Sequence, residues 1–260
     1  MEYLLVCLVA MLGSGLTLFS GFGLGTVLMP AFALFFPVPV AIASTAVVHL
    51  ANNLFKVFLV GRKADWNVIA RFALPGAVAA MIGAAVLNLF AHLPPVFHYQ
   101  LGAQQREITA VKLMVGVLIV GFACLEVLPG LRDLAFDRKY LLLGGLLSGF
   151  FGGLSGNQGA LRSAFLIRAG LDKEAFIGTG TVSAVIVDVA RLGIYGLGFY
   201  AATLAEAGNI RRLVLAATLA AFLGAFLGAR LIKKVTLQTV QVIVGVMLVI
   251  VGIGMASGVF

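Results

Sequence analysis

The sequence predicts an all-α polytopic membrane protein in which two inverted-topology repeats bring glycine-broken or re-entrant helices together near the midplane. Three observations carry that prediction. The 260 residues are 62% hydrophobic and 11% charged, with a mean hydropathy of +1.11, a composition that excludes a soluble globular domain. Apolar runs of membrane-helix length recur along the chain and are broken twice by glycine-rich stretches, SGFGLG at Ser20 to Gly25 and GFFGGLSGNQG at Gly149 to Gly159. The two halves repeat each other in order, as they do in repeat-built transporters.

The first apolar span covers residues 3–19 and ends at the first break. The start, MEYLLVCLVAMLG, carries an acid where a secretory signal carries cations, so it reads as a retained first helix. A short segment from Thr26 to Phe36 is closed by Pro37 and Pro39. The next span, Ala41 to Val60, runs into the basic loop GRKADW, where Arg62, Lys63 and the lone Trp66 suit an interface. Val68 to Phe90, a longer polar loop and Val111 to Leu128 complete the first half. After the linker LPGLRDLAFDRK come Tyr140 to Gly153, a short segment from Gln158 to Ala169, Phe176 to Tyr200, Arg212 to Ile232 and Val240 to Val259.

The halves match at three places in the same order. GFGLG with the segment through Pro30 answers GFFGGLSGNQG with the segment through Ser163. STAVVHLANNLFK answers TGTVSAVIVDVAR, setting Ser44 against Thr179, Asn53 against Asp188 and Lys56 against Arg191. RFALPGAVAAMIGAAV answers RRLVLAATLAAFLGAFLG, setting Arg71 against Arg212 and Gly83 against Gly224. The expected division is residues 1–128 as the first transmembrane repeat, 129–139 as a cytoplasmic linker and 140–260 as the second transmembrane repeat, within one membrane domain. With GRKADW inside, LRDLAFDRK, RAGLDKE and ARLIKK also fall inside, and the long loop after Phe90, the loop after Tyr200 and both termini fall outside. Five segments per half, counting the short ones, invert the second half relative to the first. Arg191, Arg211 and Arg212 then lie near the outer face, as counterparts of Lys56 and Arg71 near the inner one.

The second break holds the chemistry. It places Asn157, Gln158 and Arg162 in glycine-broken apolar sequence, and a cation at membrane depth costs about 2.5 to 3.5 kcal/mol unless it faces a protein interior or an aqueous cavity. A helix starting near Asn157 aims unpaired backbone N–H groups and the positive end of its dipole into that cavity, a setting for an anion. The alternative is that the glycines only pack helices and Arg162 snorkels to headgroups, which leaves Asn157 and Gln158 without a role. Opposite the breaks, Thr45, His49, Asn52 or Asn53 and Lys56 recur at helical spacing, as do Thr181 and Asp188 with Arg191 a turn further on. Substrate-binding candidates are therefore Gly23, Gly25, Thr26, Thr45, Asn52, Asn53, Ser155, Asn157, Gln158, Arg162 and Thr181. Asp188 and His49 are coupling candidates, each with a plain reading beside it: an ion pair with Arg191 for the first, a structural hydrogen bond for the second. Asp188 is the deepest acid, and Glu126 lies near the inner end of its span. Lys56, Arg71 and Arg212 lie near span ends and read as snorkelling cations. GAFLG at Gly224 to Gly228 reads as a helix-packing face. Cys7 and Cys124 lie in apolar spans without metal-ligand spacing, so neither a disulfide nor a metal is expected.

The pattern in GFGLGTVLMPAFALFF and SGFFGGLSGNQGALRSAFL, a glycine-rich break, a short segment, a Ser/Thr-containing span and then a Gly/Ala-rich span, resembles the TauE/SafE family of sulfite exporters over nearly the whole chain. Leu24 and Thr26 depart from the family's glycine run, and Ser163 stands where the second proline would be, as in a divergent branch. The resemblance implies transport of sulfur-containing anions such as sulfite, thiosulfate or organosulfonates, without enzymatic activity or a cofactor, in the cell membrane of a bacterium.

A net charge of +8 suits inside loops, anionic lipid and an anionic substrate, and no basic run with interleaved aromatics points to nucleic acid. The expected partners are a small anion and the bilayer, and a homodimer is compatible with the sequence. Two rival classes stand beside a secondary carrier: an intramembrane lipid-phosphate phosphatase, for which the breaks offer Ser155 but no acid, and a passive anion channel.

Overall fold

The ends of the helices follow the glycines, prolines and caps. The computed structural model describes residues 1–20, 23–102, 104–128, 130–131, 134–200, 208–231 and 237–259. Among them are ten α-helices: α1 (Glu2–Ser20), α2 (Leu24–Ala33), α3 (Val38–Val60), α4 (Trp66–Ala91), α5 (Ala110–Val127), α6 (Leu141–Ser155), α7 (Gly159–Leu166), α8 (Lys173–Tyr195), α9 (Gly208–Leu231) and α10 (Leu237–Ala256). Part of the first break, Gly21 and Phe22, lies outside the described residues, as do most of the loop after Tyr200, Ile232 to Lys234 of ARLIKK and the side chain of Glu126.

Four stretches are long and apolar enough to cross a membrane: Val38–Phe58, Trp66–Ala91, Lys173–Gly198 and Asn209–Gly228. The outward faces of two of them, and of the shorter apolar α1, are apolar, as a lipid-facing surface requires. Leu4, Leu8 and Leu12 of α1, Leu74, Val78 and Ile82 of α4, and Leu215, Leu219 and Leu223 of α9 are all exposed, each set spaced by four residues along one stripe. The chain is an all-α membrane protein.

Local sequence explains the starts and stops. Pro37 caps α3 and Pro39 sits in its first turn, so these prolines open a long helix as well as closing the short one before it. Asp65 caps α4 by accepting from Asn67 N and Val68 N at 2.9 and 3.0 Å. Gly156 ends α6 in the left-handed region at φ +82°, where a side chain would be strained. Helices α2 and α7, 10 and 8 residues long, reach only about 15 and 12 Å, too short to cross a hydrocarbon core alone. The polar loop after Phe90 contains a two-stranded hairpin, β1 (Phe97–Leu101) with β2 (Gln104–Ile108), in which Phe97 pairs with Ile108. Its turn includes Gly102 at φ +61°.

The packing exchanges partners between the halves. Helix α6 lies along α4, and α1 lies along α9; α3 packs on α8 and α5 on α10. Every one of these pairs has its counterpart when each helix is replaced by the one five places on. Both exchanged seams are made of glycine. A Cβ on Gly145, Gly149 or Gly153 of α6 would collide with the carbonyls of Phe72, Gly76 or Ala80 of α4. One on Gly224 of α9 would meet the Met11 carbonyl of α1, and one on Gly228 the backbone of Gly15 at 2.7 Å. The GAFLG packing face is thus a seam against α1.

Two sets of loop contacts mark two ends of the molecule. At one, Lys63 approaches Glu174 to 3.5 Å, Asp65 N donates to Thr179 Oγ1 at 2.9 Å, and Arg168 meets Asp137 at 3.8 Å. At the other, the Tyr3 hydroxyl donates to the Asn209 carbonyl at 3.4 Å, and from the hairpin Tyr99 and Arg106 donate to the carbonyls of Ser257 and Val259 at 2.6 and 2.8 Å. Helix α4 joins the first end to the second.

Candidate functional site

The two glycine breaks meet. A Cβ on Gly25 would stand 3.1 Å from the Gly156 carbonyl, 3.8 Å from Thr45 and 3.9 Å from His49, and one on Gly23 would stand 3.8 Å from Gly159 Cα. Helices α3 and α8 pack beside this junction and supply its polar side chains. From these two helices Thr45, His49, Asn52, Asn53, Lys56, Thr181, Asp188 and Arg191 are buried, and so are Ser14, Thr26, Ser148, Ser155, Asn157 and Gln158 from α1, α2, α6 and the second break.

Asp188 is the hub. Its Oδ1 accepts from Arg191 Nη2 at 2.7 Å, Arg191 Nε at 3.0 Å and Gln158 Nε2 at 3.1 Å. Its Oδ2 lies 2.6 Å from His49 Nδ1. Asn53 Nδ2 lies 3.0 Å from Nδ1 and 3.3 Å from Nε2 of His49; with Nδ1–H donating to the carboxylate, only Nε2 is left to accept from Asn53. One carboxylate therefore ties α3, α8 and the start of α7 together. The plain reading of both coupling candidates is present in the geometry, an i,i+3 ion pair for Asp188 and hydrogen bonds for His49.

Arg191 also does local work at the end of α6. Its Nη1 donates to the Gly152 carbonyl at 2.9 Å, and the Tyr195 hydroxyl, one turn on, donates to the Gly153 carbonyl. The last carbonyls of a helix lack intrahelical partners, and here α8 supplies them along with a cation at the negative end of the dipole. Arg191 is fully buried. An arginine bonded to a buried carboxylate and a buried carbonyl has no reason to reach for headgroups. For Lys56 the expectation of snorkelling is corrected. It is 6% exposed and does not snorkel, because α3 is packed between other helices, α8 among them. Arg71 and Arg212 are exposed, in keeping with cations at a helix end.

Several expected anion ligands already have protein partners. Gln158 Nε2 is engaged by Asp188, and its carbonyl accepts from Ser148 Oγ at 3.0 Å. Thr181 donates to the Ile177 carbonyl of its own helix at 2.8 Å, and Ser155 to that of Phe151 at 3.0 Å. Asn157 Nδ2 reaches Ser155 Oγ at 3.4 Å, and Asn52 Oδ1 accepts from Ser14 Oγ at 3.0 Å.

Other polar atoms are enclosed without a partner: Thr45 Oγ1, Asn52 Nδ2, Asn157 Oδ1, Ser183 Oγ and Arg162 Nη1. Buried polar groups normally find partners, so these atoms are the free donors and acceptors of the region. The Arg162 guanidinium lies against α8, with Nε 3.7 Å from the position a Cβ on Gly180 would take. It is within electrostatic reach of Asp188, Arg191, His49 and Lys56. Among the described residues no group of three His, Cys, Asp or Glu side chains is placed to hold a metal ion, and both cysteines are free.

Tyr195, Ser14 and Ser148 were not legible as members of this network. Only Tyr195 left a trace, since Asp188, Arg191 and Tyr195 fall on one face of α8 at spacings of three and four.

Long apolar helices around a buried polar cluster at two helix breaks define an integral membrane protein. The chain belongs to the sulfite exporter TauE/SafE family, whose model matches residues 6–255. It is, accordingly, a membrane transporter. No match is found among curated proteins.

Proposed function

We propose that the protein is a secondary carrier for small sulfur-containing oxyanions such as sulfite, thiosulfate or organosulfonates. The observation that carries this reading is the junction of the two breaks beside Arg162, whose enclosed Nη1 has no partner. Arg162 is the principal ligand, assisted by Thr45 and Asn52 and by backbone N–H groups where α2 and α7 begin. A tetrahedral oxyanion offers several acceptor oxygens to a guanidinium fork and to the free donors of Thr45 and Asn52. Gly23, Gly25 and Thr26 line the first break and let the backbone come close.

Residues 1–128 and 140–260 act as inverted repeats, joined by a cytoplasmic linker at 129–139, in the cell membrane of a bacterium, with both termini outside. The exchanged helix pairs and the gathering of the basic loops at one end support this arrangement. Rocking of one half against the other exposes the junction to each side in turn. Catalysis finds little support. Ser155, the hydroxyl a lipid phosphatase would use, donates to its own helix, and Asp188 is engaged by Arg191, His49 and Gln158.

The test is uptake of labelled sulfite and thiosulfate by proteoliposomes, run beside phosphate release from a lipid phosphate. Anion uptake without phosphate release is expected, and the reverse would replace the carrier with an enzyme. Arg162→Gln should weaken anion binding about ten- to a hundredfold, the loss of one charge-assisted hydrogen bond of about 1.5 to 3 kcal/mol. Arg162→Lys keeps the charge without the fork and should recover part of it. A folded Arg162→Gln protein with wild-type affinity for both anions removes Arg162 from the site.

A further inference from the structure

We infer that His49 is the proton site of the carrier: it takes up a proton at Nε2 together with the anion, while Nδ1–H stays on Asp188 and Asn53 turns its amide to receive the added hydrogen. That assignment rests on the carrier reading and names the driving ion which it leaves open.

His49 stands where the two breaks meet. Its Cδ2 lies 3.9 Å from where a Cβ on Gly25 would be, and the Gly156 carbonyl and the Thr45 side chain flank the same point at 3.1 and 3.8 Å. Gly25 is in the first turn of α2, whose first N–H groups, those of Leu24 and Gly25, have no carbonyl within the helix to meet. Thr45 Oγ1, one turn of α3 before His49, is enclosed without a partner. With no side chain on Gly25 between them, the ring borders the opening of α2 directly.

The hydrogen bonds of the ring can be satisfied in either protonation state. In the neutral ring, Nδ1–H donates to Asp188 Oδ2 at 2.6 Å and Nε2 accepts from Asn53 Nδ2 at 3.3 Å. A proton added at Nε2 would set one N–H against another, and a half-turn of the Asn53 amide puts Oδ1 in place of Nδ2. No described residue hydrogen-bonds to Asn53 Oδ1, and Nδ2 meets only His49, so the turn breaks nothing else. Asp188 Oδ2 accepts from the same Nδ1–H in both states, and Oδ1 is held by Arg191 and Gln158. Histidine is also the side chain whose charge changes near neutral pH, unlike the arginines beside it.

The surroundings tie the proton to the anion. Asp188 and Arg191 face His49 from α8, and Arg162 is within electrostatic reach from α7. Lys56 lies two turns on along α3, and α2 carries no ionisable residue. The arginines described on α4 and α9, and Arg62 and Lys63 after α3, are exposed, and Lys112 of α5 is turned to the hairpin, where it donates to the Glu107 carbonyl at 3.4 Å. The charge of Asp188 is matched by Arg191, so in the empty site no uncommitted negative group holds a second hydrogen on the ring, and Arg191 and Arg162 oppose it. An anion at the opening of α2 supplies that negative charge. By linkage the preference is mutual: the anion favours the protonated ring, and the protonated ring binds the anion more tightly. The proton comes from water on the side to which the junction is open and returns to water on the other, so anion and proton cross together.

The experiment uses the purified full chain in proteoliposomes holding a trapped pH-sensitive dye. Labelled thiosulfate is the anion, since it keeps its charge over the range of about pH 5 to 8 in which histidine titrates. A thiosulfate gradient imposed on wild type at clamped membrane potential should carry protons in the same direction, and thiosulfate affinity should rise about three- to tenfold from about pH 8 to about pH 6. His49→Gln cannot take the proton, so it should move none and bind thiosulfate with an affinity that varies less than about twofold over that range. Asn53→Asp gives Nε2–H a charged acceptor, holds the proton on the ring and should shift the pH dependence upward by about one unit or more. Wild type that takes up thiosulfate without moving protons overturns the inference and leaves the carrier reading standing. So does His49→Gln protein that elutes as wild type does in gel filtration and either keeps the wild-type pH dependence or loses thiosulfate equally at every pH, and so does an unshifted Asn53→Asp profile. Wild type that takes up neither thiosulfate nor labelled sulfite removes the carrier reading, and this inference with it.

Discussion

Asp188 and Arg191 are buried as a pair, and each depends on the other for its charge to be tolerable. Asp188→Asn leaves the Arg191 guanidinium without its counter-charge, and Arg191→Gln does the converse. Each single change should cost about 3 to 5 kcal/mol, read as a fall in Tm of detergent-solubilised protein. The double change Asp188→Leu with Arg191→Met should recover much of that loss, since two apolar side chains of similar size need no partner. Asp188→Asn protein that still folds also tests coupling: if the pH dependence of anion uptake is unchanged, the carboxylate holds structure and carries no proton. The i,i+3 pair on α8 was legible because both residues share one helix face. Gln158 as a third partner of Asp188 was not, since 30 residues separate them and only the folded break brings them together. Lys56 was misread for a related reason. A sequence tells how far a residue lies from the end of its own helix, whereas burial is set by the helix that covers it.

Among the elements, the glycine seams make the sharpest claims. Gly149→Ala puts a methyl group into the Gly76 carbonyl, and Gly224→Ala puts one into that of Met11, each a contact between two backbones that have no side chain to move aside. Each change should cost about 1 to 3 kcal/mol, seen as a lower Tm and a smaller monodisperse fraction. Gly121→Ala on α5 is the control, because nothing lies within 4 Å of its added Cβ, and the better helix propensity of alanine leaves stability equal or slightly higher. Most helix boundaries could be read from apolar length, proline and glycine, and α1, α3, α4 and α5 begin and end within a few residues of expectation. The hairpin at Phe97–Ile108 was hidden in a polar stretch, since alternation over five residues is a weak signal beside long apolar spans. The small-residue spacing of Gly224 and Gly228 announced a seam, but nothing in it named α1 as the partner.

For the whole molecule, the two sets of loop contacts make orientation testable. In a chain free of Cys7 and Cys124, a cysteine at exposed Arg138 should resist an impermeant thiol reagent applied from outside, and one at exposed Gln100 should react with it. Labelling of both from the same side would defeat the two-ended arrangement. The pairing of early helices with late ones was not readable, because pairing leaves no mark in a single chain. That pairing bears on how the protein is made. When the ribosome has released only the first half, α1 and α4 are already in the bilayer with their glycine-matched faces turned toward helices not yet synthesised, α9 and α6. Neither half can close on itself. The glycine-matched face of α4 must wait until α6 arrives, and that of α1 waits longer still, until α9 is made.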